Sequence, residues 1–163
     1  MDAYERYGRA LLRKAERMVG NREDARDILQ ALFADLLANP SSAQATMDLP
    51  YLYRAMTNRC LTFLRDESNR ARLRDRHDVA LAPAPRTACD ERAIGVDLLV
   101  KLVRELEPGE SEVLAYRYLD DMTQEEIAEL LGLSRKTIGK RLDRIREAVR
   151  RVVGAAAGPE GEP

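Results

Sequence analysis

The stretch that decides the fold is Thr123-Gln-Glu-Glu-Ile-Ala-Glu-Leu-Leu-Gly132, continued by Leu133-Ser134-Arg-Lys-Thr-Ile-Gly-Lys-Arg-Leu142. Thr123 and Glu126 have capping-box spacing: the threonine closes the helix start while the glutamate reaches back to its N–H. Ile127, Ala128, Leu130 and Leu131 follow as one apolar face. Gly132 stands where the chain must turn, a position that often needs positive φ. Ser134 caps a second helix whose Ile138, Leu142, Ile145 and Val149 point inward. Helix, glycine turn and second capped helix make a helix-turn-helix, the motif that lays its second helix in the major groove. We read it across residues 108 to 152.

The charges on that second helix agree. Lys136 and Lys140 lie opposite the Ile138/Leu142 stripe, with Thr137 and Arg144 beside them and Arg135 and Arg141 flanking the buried side. Basic residues at a helix start pair with phosphates or read base edges, guanine above all for arginine. A simple αα-hairpin with a solvated basic face has the same periodicity. The double capping, the turn glycine and the basic second helix together favour DNA.

Upstream, Leu98, Leu99, Leu102 and Leu106 form an apolar stripe that Glu107-Pro108-Gly109 breaks. Val113, Leu114 and Tyr118 suggest a short helix ending near Asp120-Asp121. The N-terminal half is helical too. Ala25, Ile28, Leu29, Leu32, Phe33 and Leu36 make one face of a helix capped by Asn21, with Glu23, Asp24, Asp27 and Asp35 on the same helix. Asp48 caps the next helix, Pro50 is tolerated in its first turn, and Leu52, Ala55, Met56, Cys60 and Phe63/Leu64 face inward. That helix is rich in arginine: Arg54, Arg59, Arg65, Arg70, Arg72, Arg74 and Arg76. An acidic helix and a basic one share a small domain.

Composition narrows the class. Hydrophobic residues are 45%, but aromatics only 5% with no tryptophan, which suits helices packed through aliphatic side chains. The net charge of −1 does not exclude a nucleic-acid partner, because the charges are segregated along the chain. Cys60, Cys89 and His77 are too few and too scattered for a structural zinc site, so no metal or other cofactor is expected. No apolar run reaches the length of a membrane span and the N-terminus lacks a signal-peptide core, so no membrane insertion and a cytoplasmic location are expected. With one histidine and no nucleophile–base pattern, no enzymatic activity is expected. The predicted organisation is all-α: two small helical domains at residues 1–77 and 91–153, a flexible linker at 78–90 containing Ala-Pro-Ala-Pro, and a disordered tail at 154–163.

Four motifs in order resemble the bacterial sigma-70 family of RNA polymerase sigma factors, of the short extracytoplasmic-function (ECF) kind. Asp24-Ala-Arg-Asp27-Ile-Leu-Gln30 and Tyr51-Leu-Tyr-Arg54…Asn58 are similar to region 2, with Tyr51 at a position where the family usually has tryptophan. Glu125-Glu-Ile-Ala-Glu-Leu-Leu-Gly132 and Thr137-Ile-Gly-Lys-Arg-Leu142 are similar to region 4. The resemblance implies a factor that binds core RNA polymerase and directs promoter recognition, −10 melting and transcription initiation. It implies that Asp24, Asp27, Ile28, Gln30 and Phe33 bind the coiled coil of the polymerase β′ subunit, with the β flap as a further contact. Tyr51, Tyr53, Arg54, Asn58, Arg59 and Arg65 would engage the −10 element, and the loop at 40–48 would help hold a flipped base. Arg135, Lys136, Thr137, Lys140, Arg141 and Arg144 would engage the −35 element. Gly139 and Lys140 stand at positions that often face the DNA, and Asp143 would oppose phosphates there. An inhibitory anti-sigma protein is a further implied partner. Two other readings share these residues: a stand-alone helix-turn-helix regulator dimerised by its N-terminal helices, and a protein-interaction module that docks a regulator.

Overall fold

The computed structural model describes residues 2–38, 48–76 and 91–156. Within them every regular element is helical: α1 (Asp2–Val19), α2 (Arg22–Ala38), α3 (Leu49–Arg76), α4 (Glu91–Glu105), α5 (Pro108–Leu114), α6 (Gln124–Leu131) and α7 (Arg135–Ala156). A π-helical turn, Ala115–Leu119, follows α5 directly. The chain forms two compact units that divide between Val96 and Asp97. The division falls inside α4, not in the predicted linker. The linker at 78–90 lies outside the described residues. The loop at 40–47, His77 and Cys89 also lie outside them.

In the first unit α1, α2 and α3 pack on one another. Gly20, in the left-handed region at φ 72°, ends α1, and Asn21 opens α2 by accepting the Glu23 N–H at 2.8 Å. Asp48 caps α3 in the same way, its Oδ1 accepting the Tyr51 N–H at 3.0 Å. Both caps are those the sequence predicts. The expected core residues Ala25, Ile28, Leu29, Leu32 and Leu36 are buried on α2. Phe33 is not: it is half-buried, its ring set edge-on to Tyr4 with centroids 5.0 Å apart. On α3, Leu52, Met56, Cys60 and Leu64 are buried, whereas Ala55 and Phe63 are half-buried. Thr57 and Leu61 join the core, because a helix packed against two neighbours buries a wider stripe than one facing a single neighbour.

The centre of this unit holds a lysine. Lys14 is 1% exposed, within the stripe of Leu11, Ala15 and Met18, and its ammonium sits 3.9 Å from the centroid of the Tyr53 ring. Burial pushes the nearby Cys60 thiol up to about 12, an effect the Lys14 charge only partly offsets. The unfolded thiol ionises near 9.0 while the folded one stays protonated, so stability falls as pH rises from about 9 to about 12. We expect a slope of roughly 1.4 kcal/mol per pH unit in that window from this group. Denaturant unfolding at several pH values, with Cys60→Ala as the reference, measures it; parallel pH profiles for the two proteins would refute the assignment.

In the second unit Leu99, Leu102, Val103 and Leu106 form the buried side of α4 and of the residue after it, while Leu98 is half-buried. Glu107-Pro108-Gly109 does break the helix, but it also starts the next one. Pro108 occupies the first helical position, and the Glu110 carboxylate accepts the Glu107 N–H at 3.1 Å. The short helix ends at Leu119, next to the expected Asp120-Asp121; Tyr118 is 52% exposed and Tyr116 is the buried tyrosine. In the π-turn the Asp120 N–H donates to the Ala115 carbonyl five residues back. The Tyr116 hydroxyl donates to the buried Glu112 carboxylate at 3.3 Å.

The helix-turn-helix proper follows its predicted caps. Glu126 Oε2 accepts from the Thr123 N–H at 2.7 Å and from the Thr123 hydroxyl at 2.9 Å, and the Glu126 N–H donates to Thr123 Oγ1 at 3.2 Å. The backbone N–H and the hydroxyl of Thr123 together hold the Glu126 carboxyl below the usual carboxylate range. Gly132 adopts φ 64°, and the Leu133 N–H closes the turn on the Ala128 carbonyl at 2.9 Å. The Thr137 N–H donates to Ser134 Oγ at 3.1 Å, opening α7. Ile138, Leu142, Ile145 and Ala148 are buried on α7, while Val149, Leu130 and Leu131 are half-buried. The last helix runs to Ala156, past the expected start of the tail at residue 154, because alanine has the highest helix propensity.

Candidate nucleic-acid interface

α7 packs against α5 on one side and α6 on the other, leaving the first turns of its outer face to solvent. Arg135, Lys136 and Lys140 are exposed there. Thr137 is half-buried, its hydroxyl 2.8 Å from that of Ser134. The other two arginines on the expected list are tied into the domain. Arg141 is half-buried, and its guanidinium donates to the Gly109 carbonyl at 3.3 Å. The same guanidinium packs on Gly109 so closely that a Cβ there would meet it at 3.0 Å. Arg144 bonds the buried Glu110 carboxylate at 3.0 Å. The start of α5 therefore grips two arginines one turn apart on α7. Both are thus tied to the start of α5, although the Arg144 side chain stays 69% exposed.

Two other positions differ from expectation. Gly139 faces α6: a Cβ there would lie 3.1 Å from Nε2 of Gln124, which donates to the Arg135 carbonyl at 2.6 Å. The missing side chain is thus no gap in a DNA surface; it makes room for a contact between the two helices. Asp143 pairs with Arg146 at 2.6 Å, so its charge on the outer face is locally balanced. Arg135 itself is paired with Glu125 of α6 at 2.6 Å.

In the first unit, Asp27 and Gln30 are exposed on α2 with Ala31 and Ala34 beside them, a strip one helical turn apart and low in profile. Asp24 is half-exposed and Ile28 sits at the edge of the core at 9%. On α3, Tyr51, Arg54 and Asn58 share an exposed face at i, i+3 and i+7, with Tyr51 41% exposed and available for stacking. Tyr53 is instead half-buried over Lys14, and Arg65 is half-buried. Arg59 forms an ion pair with Asp35 that joins α3 to α2. The Thr62 hydroxyl donates to the Asn58 carbonyl at 3.0 Å within the helix. An open groove between α2 and α3 brings the two lists together, lined by Ile28, Ala31, Asn58, Arg59, Thr62, Phe63 and Asp66.

Several residues shape these surfaces through contacts that a reading of the sequence does not show: Lys14, Asp35, Glu110, Gln124 and Glu125. Two left a trace. Lys14 interrupts an apolar stripe at helical spacing, and Glu110 stands three residues after Glu107 at a helix start. Among the described residues no group of three His, Cys, Asp or Glu side chains is arranged to hold a metal ion, and no helix is long and apolar enough to cross a membrane.

Comparison with known proteins agrees with this architecture. The family model for Sigma-70 region 2 matches residues 3–70, and that for Sigma-70, region 4 matches residues 97–149. The chain is 32% identical over 143 residues to the RNA polymerase sigma-E factor of Streptomyces coelicolor, covering 85% of this chain and 78% of that protein. It is also 32% identical over 151 residues to the RNA polymerase sigma-E factor of Streptomyces avermitilis, with the same coverage. Among solved structures, the sigma factor RpoE in complex with the anti-sigma factor NepR from Bartonella quintana aligns with a TM-score of 0.46 at 19% identity, covering 89% of this chain and 90% of that one. With both regions matched in order and close to the boundaries of its two helical units, the chain belongs to the sigma-70 family, as an ECF-type sigma factor built from regions 2 and 4.

Proposed function

We propose that this ECF sigma factor, which directs transcription initiation by RNA polymerase, divides promoter recognition among three surfaces. The strip of α2 around Asp27 and Gln30, with Asp24, Ile28 and Phe33 at its margins, docks the β′ coiled coil, and the second unit rests on the β flap. Tyr51, Arg54 and Asn58 on the outer face of α3 engage the −10 element, with Tyr53, Arg59 and Arg65 shaping and holding that face. Arg135, Lys136 and Lys140 on α7 engage the −35 element, Thr137 lies beside them, and Arg141 and Arg144 fix the helix that carries them. A protein inhibitor that covers the α2 strip would silence the factor, and the protein acts in the cytoplasm, where its partners are.

The observation that carries this reading is the exposed cationic start of α7, set by two capped helices and a left-handed glycine. The experiment is reconstitution of the full chain with core polymerase, selection of promoters from a random DNA library, and run-off transcription from those enriched. Transcripts that require the chain and start at a fixed distance from two enriched elements are the expected result. Transcription independent of the chain would refute it.

The division of labour on α7 has its own signature. Removing a phosphate-contacting cation lowers the salt dependence of binding by about one unit of log–log slope. We expect that change in holoenzyme carrying Lys136→Ala or Lys140→Ala, with unfolding free energy unchanged. Arg141→Ala and Arg144→Ala should instead destabilise the second unit by about 1–2 kcal/mol, by removing charge-assisted hydrogen bonds to the half-buried Gly109 carbonyl and the buried Glu110 carboxylate. Filter binding across a salt series and denaturant unfolding separate the two classes; equal salt effects from all four would sink the division.

A further inference from the structure

We propose that Glu125, on the first helix of the motif, sets base specificity at one position of the promoter by holding Arg135 in reading position. The proposal rests on the assignment of α7 to the upstream promoter element. Two contacts converge on Arg135, one of them through space that a glycine leaves open. The Glu125 carboxylate pairs with its guanidinium at 2.6 Å, the Gln124 side-chain amide donates to its carbonyl at 2.6 Å, and that amide reaches across the space left open by Gly139. Main chain and side chain of the same residue are thus both held by the start of α6. Among the described residues, Lys136 and Lys140, the other exposed cations of the first turns, make no such contact.

The chemistry follows from what an arginine does in a groove. An unrestrained guanidinium reaches the nearest phosphate, which carries no sequence information. One whose fork is anchored on one side by a carboxylate offers its remaining N–H donors in fixed directions, and paired donors match O6 and N7 of guanine. Both side chains are mostly solvent-exposed, so in the free protein the pair adds little stability. Its effect is on DNA, where the carboxylate also repels phosphates lying within a Debye length. Glu125 therefore lowers affinity for DNA in general and sharpens it for duplexes with a guanine at the position facing Arg135. Glu125 is a positioning residue, acting through Arg135.

The test uses holoenzyme and a random-sequence duplex pool, comparing wild type, Glu125→Gln, Arg135→Ala and the double variant. For Glu125→Gln we expect the preference at one guanine-containing pair to fall about tenfold, with preferences elsewhere retained. Binding to a random-sequence duplex should tighten several-fold. Arg135→Ala should lose the same preference, and adding Glu125→Gln to it should change that position no further. A merely structural glutamate would instead weaken every position together and lower the melting temperature. That pattern overturns the proposal, as does an unaltered preference in Glu125→Gln or an additive double variant. Wild-type holoenzyme that enriches nothing from the pool would sink the promoter-reading assignment itself, and this inference with it.

Discussion

Asp27→Arg is expected to lower affinity for core RNA polymerase by more than about 100-fold while leaving the chain folded. Asp27 is exposed on α2 and makes no contact with the core, which lies on the opposite face through Ile28, Leu29, Leu32 and Leu36. Surface substitutions of this kind change stability by about 0.5 kcal/mol or less. Losing an acidic residue early in a helix costs a few tenths more through the helix dipole. At an interface the balance is different. Like charges brought together there cost several kcal/mol, and each 1.4 kcal/mol is about a factor of ten in affinity. The neighbours Gln30, Ala31 and Ala34 are short or uncharged, so little on this strip can rearrange to absorb a reversed charge. Co-purification and a titration with labelled core polymerase read the affinity, and a thermal melt reads the fold. Normal polymerase binding by a folded Asp27→Arg protein would remove α2 from the interface.

Ile138→Ala is expected to destabilise the second unit by about 2–5 kcal/mol, the range for removing a fully buried aliphatic side chain. Ile138 is completely buried one turn into α7, between the capped start of that helix and the α6 side of the motif. Domains are stable by about 5–15 kcal/mol, so the loss is a large fraction of what holds α7 in place. In a unit of this size it corresponds to a fall in melting temperature of roughly 10 °C or more. Val149→Ala, at a half-buried position on the same helix, should cost clearly less. Denaturant unfolding followed by circular dichroism measures both. An Ile138→Ala protein as stable as Val149→Ala would mean that the α6–α7 contact is not the core of the motif.

How much of this is legible in the chain depends on the range of the interaction. The caps at Asn21, Asp48, Thr123 and Ser134 are contacts across two or three residues, and each forms where its residue type and spacing predict. The apolar stripes of α2, α3 and α7 are equally local, since helical period alone selects their faces. α7 itself continues through Ala156, three residues past Val153. The π-turn at Ala115–Leu119 is not legible in that period, and within it Tyr116 is buried while Tyr118 is exposed.

The helix-turn-helix at residues 123 to 142, and with it the family, was determined by the sequence alone, because its caps, glycine and stripes are short-range patterns. Tertiary structure decided which charges are available to a partner. Arg141 and Arg144 read as −35 contacts in the chain; in the fold they also bond Gly109 and Glu110, 32 and 34 residues away. Gly139 reads as a hole in the recognition surface until Gln124 is brought over it. Tyr53 reads as a −10 contact in the chain, and only the fold sets the Lys14 ammonium against its ring. A basic or aromatic side chain has the same helical spacing whether it meets a phosphate, a carboxylate or a carbonyl. Only the packing of one helix on another chooses among these, because a charge near the surface goes to whichever opposite partner the fold brings within about 3 Å.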